Sequence, residues 1–272
     1  MEKLKQYLKN FFQILSQPEM RILPGNLAFF LVLSIMPLLT LVGVICSILP
    51  ISITSIAQAL NDFLPEGIVS VLQPFFSLNG ETTHMVALLI AGFIVASNGA
   101  HAIILASNTL YKAENQNYII LRIKACFMTV ILMLTFLFVL VVLAFGNIIL
   151  KFILSFDIFN YISFDIYSLF VLLKWPVAFI VIFILVKVMY TLAPDKKISS
   201  KTVTKGSLFT TSGWLLVTAI YSLYANNFAN YDRFYGGLSN IAMLMIWIYL
   251  ISYVFVLGIA INTSSYENNA LE

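Results

Sequence analysis

Six long apolar stretches, separated by polar or proline-broken segments, set the pattern of the chain. They run from Leu27 to Leu49, Met85 to Ala106, Ala125 to Leu150, Trp175 to Leu192, Gly206 to Tyr224 and Leu238 to Ile261. A helix that crosses about 30 Å of hydrocarbon needs about 20 mostly apolar residues, so each stretch predicts a spanning helix. The fifth is diluted by Thr210, Thr211, Ser212 and Thr218, whose hydroxyls can bond back to their own helix or across to a neighbour. The expected fold is all-α: a polytopic membrane bundle of six transmembrane helices with short interfacial helices, in a single integral membrane domain.

The segments between the spans carry their own pattern. Phe11, Phe12, Ile14 and Leu15 follow Lys3, Lys5 and Lys9 and predict an amphipathic helix lying in the interface. Pro18 and Pro24 are expected to close that segment, so that residues 1–24 precede the first span. Ile51 to Leu78 mixes apolar residues with Asn61, Asp62, Glu66 and Gln73 and is broken by Pro50, Pro65 and Pro74. It is too polar to span and predicts two short interfacial helices. A similar element, Ile158 to Leu173, is expected before the fourth span. Residues 263–272 read as a cytoplasmic tail.

Composition agrees with the pattern. The chain is 61% hydrophobic and 10% charged, against about half apolar and a quarter charged in soluble domains. That excludes disorder, a soluble nucleic-acid-binding domain and a cytosolic enzyme. The net charge of +3 matters through its distribution. With both termini cytoplasmic, the inside set is Lys3, Lys5, Lys9, Arg21, Lys112, Arg122, Lys124, Lys196, Lys197, Lys201 and Lys205, and the outside loops hold Lys151 and Arg233. Eleven against two is a positive-inside signal.

Motifs of soluble enzymes are absent from the sequence, and no cofactor or metal is implied. His84 and His101 lie too far apart along one helix to share a metal without other ligands. All twelve acidic residues fall in loops, tails or interfacial segments, which argues against a carboxylate proton relay inside the membrane. The polar groups left in the spans are neutral. Asn98, His101, Leu105 and Asn108 recur at spacings of three and four on one helical face. Such a stripe either bonds neighbouring helices together or lines a substrate path. Lys187 can snorkel to the near interface. Lys174, before Trp175-Pro176, can do the same or face a cavity as a fixed charge for an anionic headgroup. There Pro176 suits the first turn of the fourth span.

Pro37 removes a backbone bond in the first span and is a candidate hinge. Between the last two spans lie Tyr221, Tyr224, Asn226, Asn227, Asn230, Tyr231, Tyr235, Gly236, Gly237 and Asn240. The tyrosines fit an interfacial belt. The asparagines and the Gly236-Gly237 pair exceed what a belt needs, so this run is a candidate polar site at the outer mouth, with the glycines as a candidate hinge. The candidate substrate-binding set is thus Asn98, His101, Asn108, Lys174, Tyr224, Asn227, Asn230, Tyr231 and Tyr235.

The same residues carry a family resemblance. Asn26-Leu27-Ala28-Phe29-Phe30 with Ser34 and Pro37, Ser97-Asn98-Gly99 through Asn108-Thr109-Leu110-Tyr111, and Tyr190 to Pro194 with Gly206 resemble motifs of the YihY family. So do Phe228-Ala229-Asn230-Tyr231, Tyr235-Gly236, Trp247-Ile248-Tyr249 and Gly258 to Asn262. This family includes the BrkB virulence-factor type and once carried the label ribonuclease BN. Phe29 and Phe30 stand where members typically have tyrosines. Ala260-Ile261-Asn262 lacks the glutamate that commonly precedes the final Leu-Asn, so no glutamate-dependent role carries over. The resemblance implies a six-span bacterial inner-membrane protein associated with transport.

The expected function is transport or flipping of an anionic lipid or amphiphilic envelope component, with membrane lipids as partners and no nucleic acid. Two three-helix halves would have opposite orientation, as in an inverted repeat, with Leu110-Tyr111 and Leu223-Tyr224 at comparable places. The alternative is a non-transporting scaffold for envelope-synthesis enzymes. A membrane ribonuclease, or any enzyme, is not expected.

Overall fold

The structure is a computed structural model that describes residues 15–48, 65–76, 85–114, 117–134, 166–227 and 236–270. The described residues are mostly helical and contain no strand. The elements are α1 (Glu19–Ile48), α2 (Glu66–Phe76), α3 (Met85–Leu110), α4 (118–134), α5 (Ile166–Leu192), α6 (Thr204–Asn227) and α7 (Ser239–Ala270). A 3-10 turn, Gly236–Leu238, leads into α7. Glu19–Leu41, Ile90–Leu110, Thr204–Ala225 and Ser239–Tyr266 are long and apolar enough to cross a membrane, and Pro176–Leu192 is a shorter apolar helix. Helices of spanning length thus overlap the first, second, fifth and sixth expected spans, and the fourth expected span lies within the 27-residue α5. The third is helical from 118 to 134, and its remainder lies outside the described residues.

Several expected boundaries are corrected. Pro24 does not close a separate segment: α1 starts at Glu19 and runs through both Pro24 and Pro37. Pro18 does mark a break, for the Arg21 amide bonds to its carbonyl in the turn that opens α1. Pro176 does not sit in a first turn, because α5 begins at Ile166 and carries it inside the helix. Proline is tolerated within membrane helices where neighbours re-satisfy the freed backbone groups. The expected tail is helical as far as Ala270. The stretch between the first two spans supplies one described helix, α2, and this helix is packed into the bundle. Its Ile68, Val69 and Leu72 are buried with Leu39 of α1 and Leu244 and Ile248 of α7.

Helix α7 is central and touches α1, α2, α3 and α6. Seven consecutive residues, Val254–Ala260, are buried, the mark of a helix enclosed on all sides rather than on one stripe. The closest approach is to α6. A Cβ on Gly206 would collide with the Gly258 carbonyl oxygen, and one on Gly258 would collide with the hydroxyls of Thr210 and Tyr190. Without a hydrophobic drive between helices in lipid, small residues let backbones meet and gain dispersion contact. The outer surface is apolar, with Phe29, Ile90, Phe127, Ile180, Leu216 and Ile220 all exposed, as a lipid-facing surface requires.

The crossing gives a stability test. Gly258→Ala should destabilise the protein by about 1–3 kcal/mol through overpacking. Gly25→Ala, where a Cβ meets nothing within 4 Å, should be neutral or stabilising. Thermal unfolding in detergent reads both, and equal transitions would contradict the packing described.

Candidate functional site

The polar face of α3 is divided between two sets of partners. Near the middle of its apolar stretch, the Asn98 Oδ1 accepts from Arg122 Nη1 of α4 at 2.7 Å. The Arg122 Nη2 donates to the Ile94 carbonyl at 2.7 Å, which also accepts from the Ser97 hydroxyl at 2.7 Å. On the opposite flank, the Ser34 hydroxyl of α1 accepts from the Gly99 amide at 2.8 Å and donates to the Val95 carbonyl at 3.4 Å. Two adjacent turns of α3 are thus served by donors and acceptors outside its own ladder. Gly99 allows this, because a Cβ there would press on Ser34 and Leu31 at 3.1 Å. His101 lies edge-on to Tyr118 with ring centroids 6.0 Å apart, and its Nδ1 is buried with no hydrogen-bond partner among the described residues.

The end of α3 is held differently. Asn108 and Asp195 form a reciprocal pair: Asn108 Nδ2 donates to Asp195 Oδ2 at 2.6 Å, and the Asp195 amide donates to Asn108 Oδ1 at 2.8 Å. Lys124 of α4 donates to Asp195 Oδ1 at 2.6 Å and to the carbonyls of Ala193 and Pro194 at 2.8 and 3.1 Å. Lys196 donates to the Tyr111 carbonyl at 2.8 Å. The Asp195 side chain is 2% exposed, so a buried carboxylate is compensated by an ammonium and an amide. This clamp joins α3, α4 and the loop after α5.

A third polar group closes the α5–α6–α7 contact. The Tyr190 hydroxyl donates to the Phe255 carbonyl at 2.7 Å and lies 2.6 Å from the Thr210 hydroxyl. A carbonyl can only accept, so Thr210 is the donor to Tyr190. Asn262 Oδ1 takes the Gly206 amide at 2.8 Å, one of the donors that the first turn of α6 leaves without an intrahelical partner. Three of the hydroxyls that dilute the fifth span, those of Thr210, Thr211 and Thr218, are used as expected. Thr211 bonds back to the Ser207 carbonyl at 2.9 Å, and Thr218 accepts from Trp247 Nε1 across the α6–α7 contact at 3.2 Å.

The candidate residues from the sequence therefore separate. Asn98 and His101 face α4, whereas Asn108 is engaged by Asp195. Pro37 faces Gly92 of α3, where a Cβ would lie 3.6 Å from its own Cβ. Tyr224 is half-exposed and packs by its ring on Tyr221. Tyr221 belongs to the core beside α2, separate from the core that holds Ile103 and Ile104 of α3. Gly236 has a φ of +52°, the left-handed region that favours glycine, and it opens the turn with Gly237. The side chains of Lys174 and Asn227, and all of Asn230, Tyr231 and Tyr235, lie outside the described residues.

Two participants escape the sequence reading. Arg122 is assigned there to an inside loop, but it lies inside α4, which starts at 118 rather than near Ala125. Tyr118-Ile119-Ile120-Leu121 ahead of it is the signal that moves the boundary. Asp195 carries no signal of its own, since only the fold brings it to Asn108 and Lys124.

The chain matches the family model described as virulence factor BrkB over residues 11–272. It belongs to the BrkB virulence-factor family. Among BrkB relatives, the chain is 30% identical over 273 residues to the ribonuclease-like protein YfkH of Bacillus subtilis, covering 97% of each. It is 36% identical over 70 residues to a UPF0761 membrane protein of Pseudoalteromonas translucida, covering 26% of this chain and 23% of that one. A UPF0761 membrane protein of Idiomarina loihiensis is 32% identical over 98 residues, covering 36% and 34%. No solved structure matches this BrkB-family chain significantly. The family and the apolar helices together make it a multi-pass membrane protein.

The clamp is testable by a double-mutant cycle. Asp195→Ala leaves Lys124 without its carboxylate and should cost about 1–3 kcal/mol in detergent unfolding. Adding Lys124→Met should recover part of that loss, because the stranded charge is gone. Strictly additive losses would contradict the pairing.

Proposed function

We propose that this BrkB-family protein translocates an anionic lipid or amphiphilic envelope component and is not an enzyme. The reading places it in a bacterial inner membrane with both termini cytoplasmic. The observation that carries it is the polar face of the unbroken helix α3 at Ile94–Gly99, which holds a guanidinium and side-chain hydroxyls against its backbone. Spanning helices keep their backbone groups bonded internally, and departures are tolerated where protein or a water-filled cavity compensates them. Polar and ionisable groups within spanning helices mark substrate paths. Here Ser34, Ser97 and Arg122 bond carbonyls of that face beside a half-buried asparagine and histidine.

The protein reconstituted into vesicles should move a fluorescent phosphatidylglycerol between leaflets faster than empty vesicles do. Gly99→Val, which drives a branched side chain into Ser34, should slow that by roughly tenfold, the effect of about 1.4 kcal/mol on a barrier. Translocation equal to empty vesicles for every acidic lipid tried would overturn the reading in favour of a scaffold.

Orientation is tested separately. A reporter that fluoresces only in the cytoplasm, fused after Glu272, should light up, and a phosphatase active only outside should stay silent at that position. The reverse pair of results would invert the topology and put Asp195 and Lys124 on the outer side.

A further inference from the structure

Two cations two residues apart on α4 are drawn in opposite directions. Lys124 goes to the Asp195 carboxylate at the end of α3. Arg122 goes the other way, to the Asn98 amide oxygen and the Ile94 carbonyl, and among the described residues both of its partners are neutral. Ile94 precedes Leu110 by 16 residues, which is about 24 Å along a helix axis. An arginine close to a membrane interface ordinarily snorkels outward. This one is held inward, at the depth of a stretch apolar enough to span. A charge at that depth is costly unless it is paired, and such residues mark substrate paths.

The surroundings show from which side a counter-charge can come. Ile94 is 49% exposed on α3, and Ile119 and Ile123 are 64% and 65% exposed on α4. The guanidinium thus stands in a seam with exposed aliphatic walls on both helices. Among the described residues, two of its five N–H donors are engaged. The orphaned His101 Nδ1 lies on the same polar face, one turn further along α3.

We propose that Arg122 is the phosphate-reading residue of a lateral lipid site between α3 and α4. A lipid phosphate lies on the free edge of the guanidinium, and its chains rest on Ile94, Ile119 and Ile123. The planar fork fits two phosphate oxygens at once, which a lysine cannot match. Asn98 and the Ile94 carbonyl fix the fork from behind. The inference deepens the translocation reading and rests on it for the idea that the substrate passes α3.

The test is lipid retention by the full chain in neutral detergent, read by native mass spectrometry. The wild type should keep phosphatidylglycerol in preference to diacylglycerol. Arg122→Gln should lower phosphatidylglycerol retention by about tenfold, as expected on losing charge-assisted hydrogen bonds, with Arg122→Lys between the two. Displacement of the lipid by millimolar inorganic phosphate assigns the site to the phosphate alone. Resistance to it, with Arg122→Gln still deficient, assigns the site to phosphate and chains together. Equal retention by wild type and Arg122→Gln overturns the proposal. Should that variant fail to fold, equal retention of phosphatidylglycerol and diacylglycerol by the wild type overturns it alone. Retention without translocation would instead sink the transport reading and leave this site standing.

Discussion

Everything in the bundle hangs on the place where α6 and α7 touch backbone to backbone. Gly206 and Gly258 leave no room for a side chain between them, and Asn262 closes the contact by taking the Gly206 amide. Tyr190 seals it from α5 through Thr210 and the Phe255 carbonyl. That fixes the end of α5, and three to five residues later come Ala193, Pro194 and Asp195. These hold Lys124 and Asn108, and so set α4 against α3. Arg122 reaches Asn98 because Lys124, half a turn on, is anchored at the other end. The sequence of constraints runs from two glycines to a guanidinium without any step that depends on hydrophobic force alone.

The same chain of contacts explains why polar groups are affordable in so apolar a protein. A buried hydroxyl or amide without a partner costs roughly 1–3 kcal/mol, and three of the polar groups named here are satisfied twice. Ser34 serves both a carbonyl and an amide, Tyr190 both a carbonyl and a hydroxyl, and Asn108 both the carboxylate and the backbone amide of Asp195. Arg122 stands apart because its hydrogen bonds are good and its charge is not neutralised by them. A structural role would be served as well by a neutral donor.

Much of this was legible in the sequence, and the reasons for the rest are physical. Long apolar runs reveal spanning helices, and the spacing of Asn98, His101 and Asn108 reveals a face. Proline misled at positions 24 and 176, since a rule learned from helices in water treats it as a stop and a membrane bundle tolerates it inside. Arg122 falls outside the expected span because a charge argues against hydrocarbon; the helix begins earlier, at 118, and takes the charge in with it. The division of α3's stripe between a guanidinium and a buried carboxylate was not legible. Asp195 lies 87 residues from Asn108, and nothing local announces the pairing.

The central proposal is that Arg122, held beside the apolar stretch of α3, receives an anionic lipid. An experimental structure of the protein in nanodiscs containing phosphatidylglycerol measures that most directly. It should show Arg122 on Asn98 and Ile94, within the hydrocarbon layer, with headgroup density on the free edge of its guanidinium. Arg122 turned out to the aqueous interface, or bonded to a carboxylate of the chain itself, would contradict it.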